Sequence, residues 1–77
     1  MKKKILITGG AGYIGSKLTT KLLDLNCEVT VVDILKFSSK SLNHLFNYKN
    51  FTFIKGDVRN KKLMKSLIRK NEFIIPL

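Results

Sequence analysis

The chain has one cysteine, one histidine, only five acidic residues against 15 Lys and Arg, and no long apolar run. Each shortage closes off a class of protein. A single thiol, Cys27, cannot form an internal disulfide, which fits a reducing compartment. Its place just before an apolar segment reads as a small buried residue rather than a reactive thiol. His44 has no Cys, Asp or Glu at metal-ligand spacing, so it reads as a surface histidine and no metal site is expected. The run Ile5-Leu6-Ile7 breaks at Thr8-Gly9-Gly10. That is too short for a signal-peptide core, and no run approaches the roughly 20 residues of a membrane-spanning helix. A soluble, cytoplasmic chain without a membrane partner is expected.

Length sets a further bound. Seventy-seven residues make at most one small domain, and a chain of this size buries only roughly 60–65% of its unfolded surface, so stability is marginal. The net charge of +10 raises the question of a nucleic-acid or acidic-surface partner. Thirteen of the basic residues are lysines scattered along the chain, which reads as solvated faces. The same charge suits a polyanionic nucleotide ligand.

What the chain does have is a glycine turn. Thr8-Gly9-Gly10-Ala11-Gly12-Tyr13-Ile14-Gly15 follows the apolar run and precedes a segment of helical periodicity, with Gly9, Gly12 and Gly15 at three-residue spacing. Gly9 lets the chain reverse off the strand, Gly12 removes a side chain where backbone N–H groups meet a diphosphate, and Gly15 lets the helix pack closely on the strand. The helix start offers unpaired donors and a positive dipole end to the same phosphates.

The remaining chain alternates. Lys2 to Thr8 reads as a strand. Ile14, Leu18, Leu22 and Leu25 form a helical stripe, stopped at Asn26. Val29 to Ile34 is a β-branched second strand. Ser38, Ser39 and Ser41 suggest a loop, and Leu42, Leu45 and Phe46 a short helix capped by Ser39 or Ser41. Phe51 to Lys55 is a third strand. Asn60 is a candidate N-cap for a helix that buries Leu63, Met64, Leu67 and Ile68. Glu72 to Leu77 begins a fourth strand. This is the pattern of an α/β, Rossmann-type parallel sheet with helices on both faces, truncated after four strands in the order 3-2-1-4. Residues 1–77 would then be a partial dinucleotide-binding domain, with its ligand crevice where the strand order reverses, at the glycine turn.

Two further positions carry chemistry. Asp33 ends the second strand, 18 residues after Gly15. A carboxylate there accepts hydrogen bonds from the ribose hydroxyls of adenosine and repels a 2′-phosphate, which favours NAD over NADP. Lys36 is near enough in sequence to soften that exclusion. After the third strand, Asp57 is placed to accept a hydrogen bond from the adenine amino group, with Val58 packing on the ring.

These segments together resemble a known family. The turn from Thr8 to Gly15 looks like the N-terminal fingerprint of the extended short-chain dehydrogenase/reductases, the NAD-dependent epimerase/dehydratase enzymes of nucleotide-sugar metabolism. Val31-Val32-Asp33 and Gly56-Asp57-Val58-Arg59 are similar to the next two motifs, in order. Glu72 to Leu77 resembles the start of the family's fourth strand, with Pro76 where the family usually has histidine. The resemblance covers the whole chain, although family members are several times longer. It implies an NAD cofactor at Gly9, Gly12, Tyr13, Ile14, Gly15, Asp33, Asp57 and Val58, and a homodimer and a nucleotide-sugar substrate for the full-length form. It also implies that the family's catalytic Ser/Thr and Tyr-x-x-x-Lys lie beyond residue 77, so that no catalytic residue is expected here. Tyr13-Ile14-Gly15-Ser16-Lys17 fits Tyr-x-x-x-Lys by coincidence, because it lies inside the phosphate turn; Ser16 falls near the phosphates instead.

Two other readings compete with a cofactor-binding N-terminal part. One is a stand-alone, non-enzymatic nucleotide-binding module. The other is a basic nucleic-acid binder, for which there is no helix-turn-helix signal, zinc pattern or stacking-aromatic motif. No specific nucleic-acid partner is expected. Phe73, Ile74 and Ile75 are expected on an exposed, aggregation-prone edge.

Overall fold

The computed structural model describes residues 2–9, 12–34 and 40–77. The elements run β1 (Lys4–Thr8), α1 (Tyr13–Asp24), β2 (Glu28–Asp33), a 3-10 helix (Lys40–Asn47), β3 (Phe51–Lys55), α2 (Lys61–Lys70) and β4 (Phe73–Pro76). The four strands form one parallel sheet in the order β3-β2-β1-β4, the order expected from right-handed crossovers. Thr8 pairs with Val32 and with Pro76, and Asp33 pairs with Lys55. All four carboxyl ends therefore lie along one edge of the sheet.

The period-two alternation of the strands divides the core into two layers. Ile5, Ile7, Val29 and Val31 point to one face, where Leu23 of α1 and Leu45 of the 3-10 helix cover them. Leu6 and Val32 point to the other, where Leu67 of α2 covers them, with Leu63 and Met64 packed against the cluster. Burial on both faces explains why Ile5-Leu6-Ile7 is continuously apolar rather than alternating.

The α1 stripe matches the sequence expectation in its middle, where Leu18 and Leu22 pack against the core, and differs at its ends. Ile14 and Leu25 are exposed, at 74% and 73%, while Leu23 and the polar Ser16 and Thr19 are buried. Gly15 is buried beside them. The first two turns of the helix bury the small residues Gly15, Ser16 and Thr19, and its last turn buries Leu23. The Thr19 hydroxyl is satisfied there by donating to the Gly15 carbonyl at 2.7 Å. A second correction concerns α2, where Ile68 is exposed and the buried face is Leu63, Met64 and Leu67.

The helix ends follow the sequence. Asn26 has φ +66°, its N–H donates to the Leu23 carbonyl at 2.9 Å, and the Cys27 N–H donates to the Leu22 carbonyl at 3.0 Å. That is a Schellman stop built on a left-handed asparagine. Cys27 itself is half-buried and free, packed against the α1 layer. The Asn60 side chain accepts the Leu63 N–H at 3.1 Å and caps α2. Leu45 of the 3-10 helix is buried, and Phe46 meets Phe51 edge-on at 5.5 Å. The loop expected at Ser38 and Ser39 lies outside the described residues, as do the side chains of Ser41 and Leu42. Tyr48 donates to Asp24 at 2.6 Å, tying the segment after the 3-10 helix to the end of α1. Phe73 and Ile74 are exposed on β4, an edge strand, as expected, whereas Ile75, expected exposed with them, packs against the core layer under α1.

Candidate functional site

The parallel register gathers the segments after β1, β2, β3 and β4 at the carboxyl edge, and the site is built from them. Gly9 leaves β1 with φ +75°, a conformation that a Cβ opposes. Its N–H donates to the Val32 carbonyl at 2.9 Å, which continues the β1–β2 ladder into the turn. A Cβ on Gly9 would lie 3.0 Å from the Leu77 carbonyl oxygen, whereas a Cβ on Gly12 would meet nothing within 4 Å. The two glycines serve different needs. Gly9 is required by the backbone, and Gly12 leaves open space above the helix start. Gly10 and Ala11 lie outside the described residues.

Gly12 is the N-cap of α1 in extended conformation, without a side-chain capping bond. Its carbonyl accepts the Ser16 N–H at 2.9 Å. The N–H groups of the first turn have no earlier turn to bond, and with the dipole they favour an anion there. Gly9, Gly12, Gly15, Ile14 and Leu77 line a cleft of about 510 Å³ at this point. The exposure of Ile14, which conflicts with a core role, suits a wall of this cleft. Tyr13 opens α1, and its side chain lies outside the description.

A second cleft of about 440 Å³ shares Gly9 and Leu77 with the first and extends over β2 and β3. Asp33, Asp57 and Val58 line it together with Arg59. The Gly56 N–H donates to the Asp33 carbonyl at 2.9 Å, which draws the loop after β3 against the end of β2. The Asp57 carbonyl accepts the Asn60 N–H at 2.9 Å, and its side chain accepts the Arg59 N–H at 2.8 Å. This turn hands the chain to the capped start of α2. Seven of the eight residues expected to form a site thus line two adjoining clefts, and Tyr13 is the first residue of α1.

Arg59 ends the Gly56-Asp57-Val58-Arg59 motif and lines the cleft without being among the eight expected site residues. Its guanidinium contacts the Asp57 carboxylate at 2.7 to 3.1 Å through Nε and Nη2. Hydrogen bonding and charge attraction from Asp57 raise the Arg59 pKa, so it remains cationic. The Asp-x-Arg spacing was the available signal, because it lets a turn fold the guanidinium back onto the carboxylate.

His44 is exposed, with Nε2 2.9 Å from the Thr20 hydroxyl. That hydroxyl already donates to the Ser16 carbonyl at 2.8 Å, so the histidine donates to it. Among the described residues no group of three or more His, Cys, Asp or Glu could hold a metal, and no helix is long and apolar enough to cross a membrane.

A parallel sheet in this order, with a glycine turn at the reversal point and carboxylates at the end of β2 and after β3, defines a Rossmann-type fold. The structure superposes on dTDP-glucose 4,6-dehydratase from Bacillus anthracis, solved in complex with NAD, with a TM-score of 0.88 and 27% identity, over 97% of this chain and 26% of that one. A family profile described as GDP-mannose 4,6 dehydratase matches residues 6–75. The chain belongs to this family, within the NAD-dependent epimerase/dehydratase group of the extended short-chain dehydrogenase/reductases. It is 47% identical over 58 residues to UDP-glucuronic acid decarboxylase 1 of Danio rerio, covering 74% of this chain and 14% of that protein. With UDP-glucose 4-epimerase of Haemophilus influenzae it shares 42% identity over 71 residues, 88% of this chain and 21% of the epimerase. The chain thus spans about a seventh to a fifth of these relatives.

Proposed function

We propose that residues 1–77 are the cofactor-binding part of an NAD-dependent nucleotide-sugar epimerase or dehydratase, a partial dinucleotide-binding domain that binds NAD without turnover by itself. The observation that carries this reading is the convergence of Gly9, Asp33, Asp57 and Val58 on one cleft that adjoins the glycine-lined start of α1. The dehydratase that shares its fold over 97% of this chain was solved with NAD.

Each residue then has a distinct task. Gly9 turns the chain, and Gly12, Tyr13, Ile14 and Gly15 present backbone and dipole to the diphosphate. Asp33 accepts the adenosine ribose hydroxyls and disfavours a 2′-phosphate, which selects NAD over NADP. Asp57 accepts from the adenine amino group and Val58 packs on the ring. Bound NAD would supply a hydride acceptor, and none of these eight residues is assigned a proton-transfer role. In the full-length form the partners are a nucleotide sugar and a second copy of the chain, and the compartment is the cytoplasm.

Calorimetric titration with NAD and with NADP tests the reading. Heat with NAD and weaker binding of NADP are expected. A folded sample giving no heat with NAD overturns it.

A further inference from the structure

The guanidinium of Arg59 has no part in the assignments above, yet it makes several short contacts to a carboxylate of the cleft. Nε lies 3.1 Å from Oδ1 and 3.0 Å from Oδ2 of Asp57, and Nη2 lies 2.7 Å from Oδ2. The Arg59 N–H adds a fourth approach, to Oδ1 at 2.8 Å. A planar fork of this kind fixes the plane of a carboxylate, which an ammonium cannot do. The backbone on both sides is also held, by the Asn60 N–H on the Asp57 carbonyl and by the Asn60 cap on α2.

Stability does not account for the pair. The Arg59 side chain is 88% exposed and that of Asp57 is 36% exposed, and ion pairs in such positions contribute little to folding. Ligand chemistry gives the pair a use. Among the described residues that line the cleft, Asp33 and Asp57 are the two carboxylates and Arg59 is the one basic group.

We propose that Arg59 is a positioning residue of the dinucleotide site, holding the Asp57 carboxylate in the plane that accepts the adenine amino group. The proposal rests on the dinucleotide reading above. It makes the base preference of the site depend on a residue that does not itself touch the base.

The test compares NAD with its deamino analogue, in which a carbonyl replaces the adenine amino group. Both are titrated into the 77-residue chain, into Arg59→Gln and Arg59→Lys, and into Asp57→Ala with and without Arg59→Gln. The wild-type chain is expected to prefer NAD by about tenfold or more, the effect of one hydrogen bond to a charged acceptor. Arg59→Gln is expected to reduce that preference to about threefold or less, and Arg59→Lys to fall between, at an unchanged melting temperature. In the Asp57→Ala background, Arg59→Gln should alter the preference no further, because the arginine acts through that carboxylate.

An Arg59→Gln chain that keeps the wild-type preference overturns the proposal, even if both ligands bind more weakly, because that is general charge attraction. Equal wild-type affinity for the two dinucleotides overturns it too, while leaving the dinucleotide site in place. A folded wild-type chain that binds neither overturns the dinucleotide reading, and the role of Arg59 with it.

Discussion

Alanine at Gly9 and alanine at Gly12 should fail in different ways. Gly9 has φ +75°, and its added Cβ would stand 3.0 Å from the Leu77 carbonyl oxygen. That oxygen belongs to a residue whose N–H donates to the Thr8 carbonyl at 3.0 Å, so relief of the contact disturbs the end of the β1–β4 pairing. A non-glycine residue in the left-handed region costs about 1–2 kcal/mol. Alanine recovers about 0.4–1 kcal/mol by restricting the unfolded chain, and the crowded carbonyl adds to the cost. The net expectation is a destabilisation of about 1–2 kcal/mol, or roughly 4–15 °C in melting temperature for a domain of this size. Gly12 has an ordinary extended conformation, and its Cβ would meet nothing within 4 Å. Alanine there costs only about 0.5 kcal/mol as a poorer N-cap, but it puts a methyl group into the space assigned to the diphosphate. Thermal melts followed by circular dichroism, paired with NAD titration, separate the two. Gly9→Ala should lower the melting temperature most, and Gly12→Ala should lose NAD affinity with little change in melting. A Gly9→Ala chain as stable as wild type, or a Gly12→Ala chain with undiminished NAD binding, refutes the division of labour.

Other residues give sharper local tests. Asp33→Asn removes the charge that opposes a 2′-phosphate, so the ratio of NAD to NADP affinity should fall towards one by titration. Asn60→Ala removes the α2 cap bond to Leu63 and should cost about 1 kcal/mol in urea unfolding. Leu6 is fully buried between β1 and α2, so Leu6→Ala should cost about 2–5 kcal/mol and leave a chain of this size largely unfolded. The hydrogen bond from Tyr48 to Asp24, then burial and charge, raise the tyrosine pKa. Its contribution is therefore complete below the unfolded value of about 10 and is lost as pH rises through the higher folded value. Melting temperatures above about pH 10 should fall more steeply for wild type than for Tyr48→Phe, which lacks the bond.

The sheet order was legible because parallel strands joined by right-handed crossovers leave few arrangements, and the glycine turn marks which strand is central. Asn26 and Asn60 were legible as a helix stop and a helix start because their short side chains suit those positions. Hydropathy misread the face of α1. Ile14 and Leu25 are exposed, while Ser16 and Thr19 are buried. Leu18 and Leu22 of the hydropathic stripe do pack against the core, but the buried face is centred on Gly15, Thr19 and Leu23, so the two ends of the stripe, Ile14 and Leu25, fall outside it. Gly15 carried the needed signal, since counting four and eight residues on from it gives Thr19 and Leu23. In α2 the error was one residue in angle, with Ile68 falling just outside the face that Leu63, Met64 and Leu67 bury. Asp33 and the Asp57-Val58 pair lie far apart in the chain but come to one cleft because parallel register sends every strand's exit to the same edge. Arg59 escaped notice because its contact depends on a turn between residues two apart, which no periodicity reveals.

The central claim is that the carboxyl edge of this sheet holds NAD. An isotope-labelled sample titrated with NAD and followed by amide NMR shifts tests it residue by residue. The account predicts the largest shifts at Gly9, Gly12, Gly15, Asp33 and Asp57, and none at Lys4, Asn50 and Asn71 on the opposite edge. Shifts concentrated on that opposite edge, or none at all from a folded chain, would contradict it.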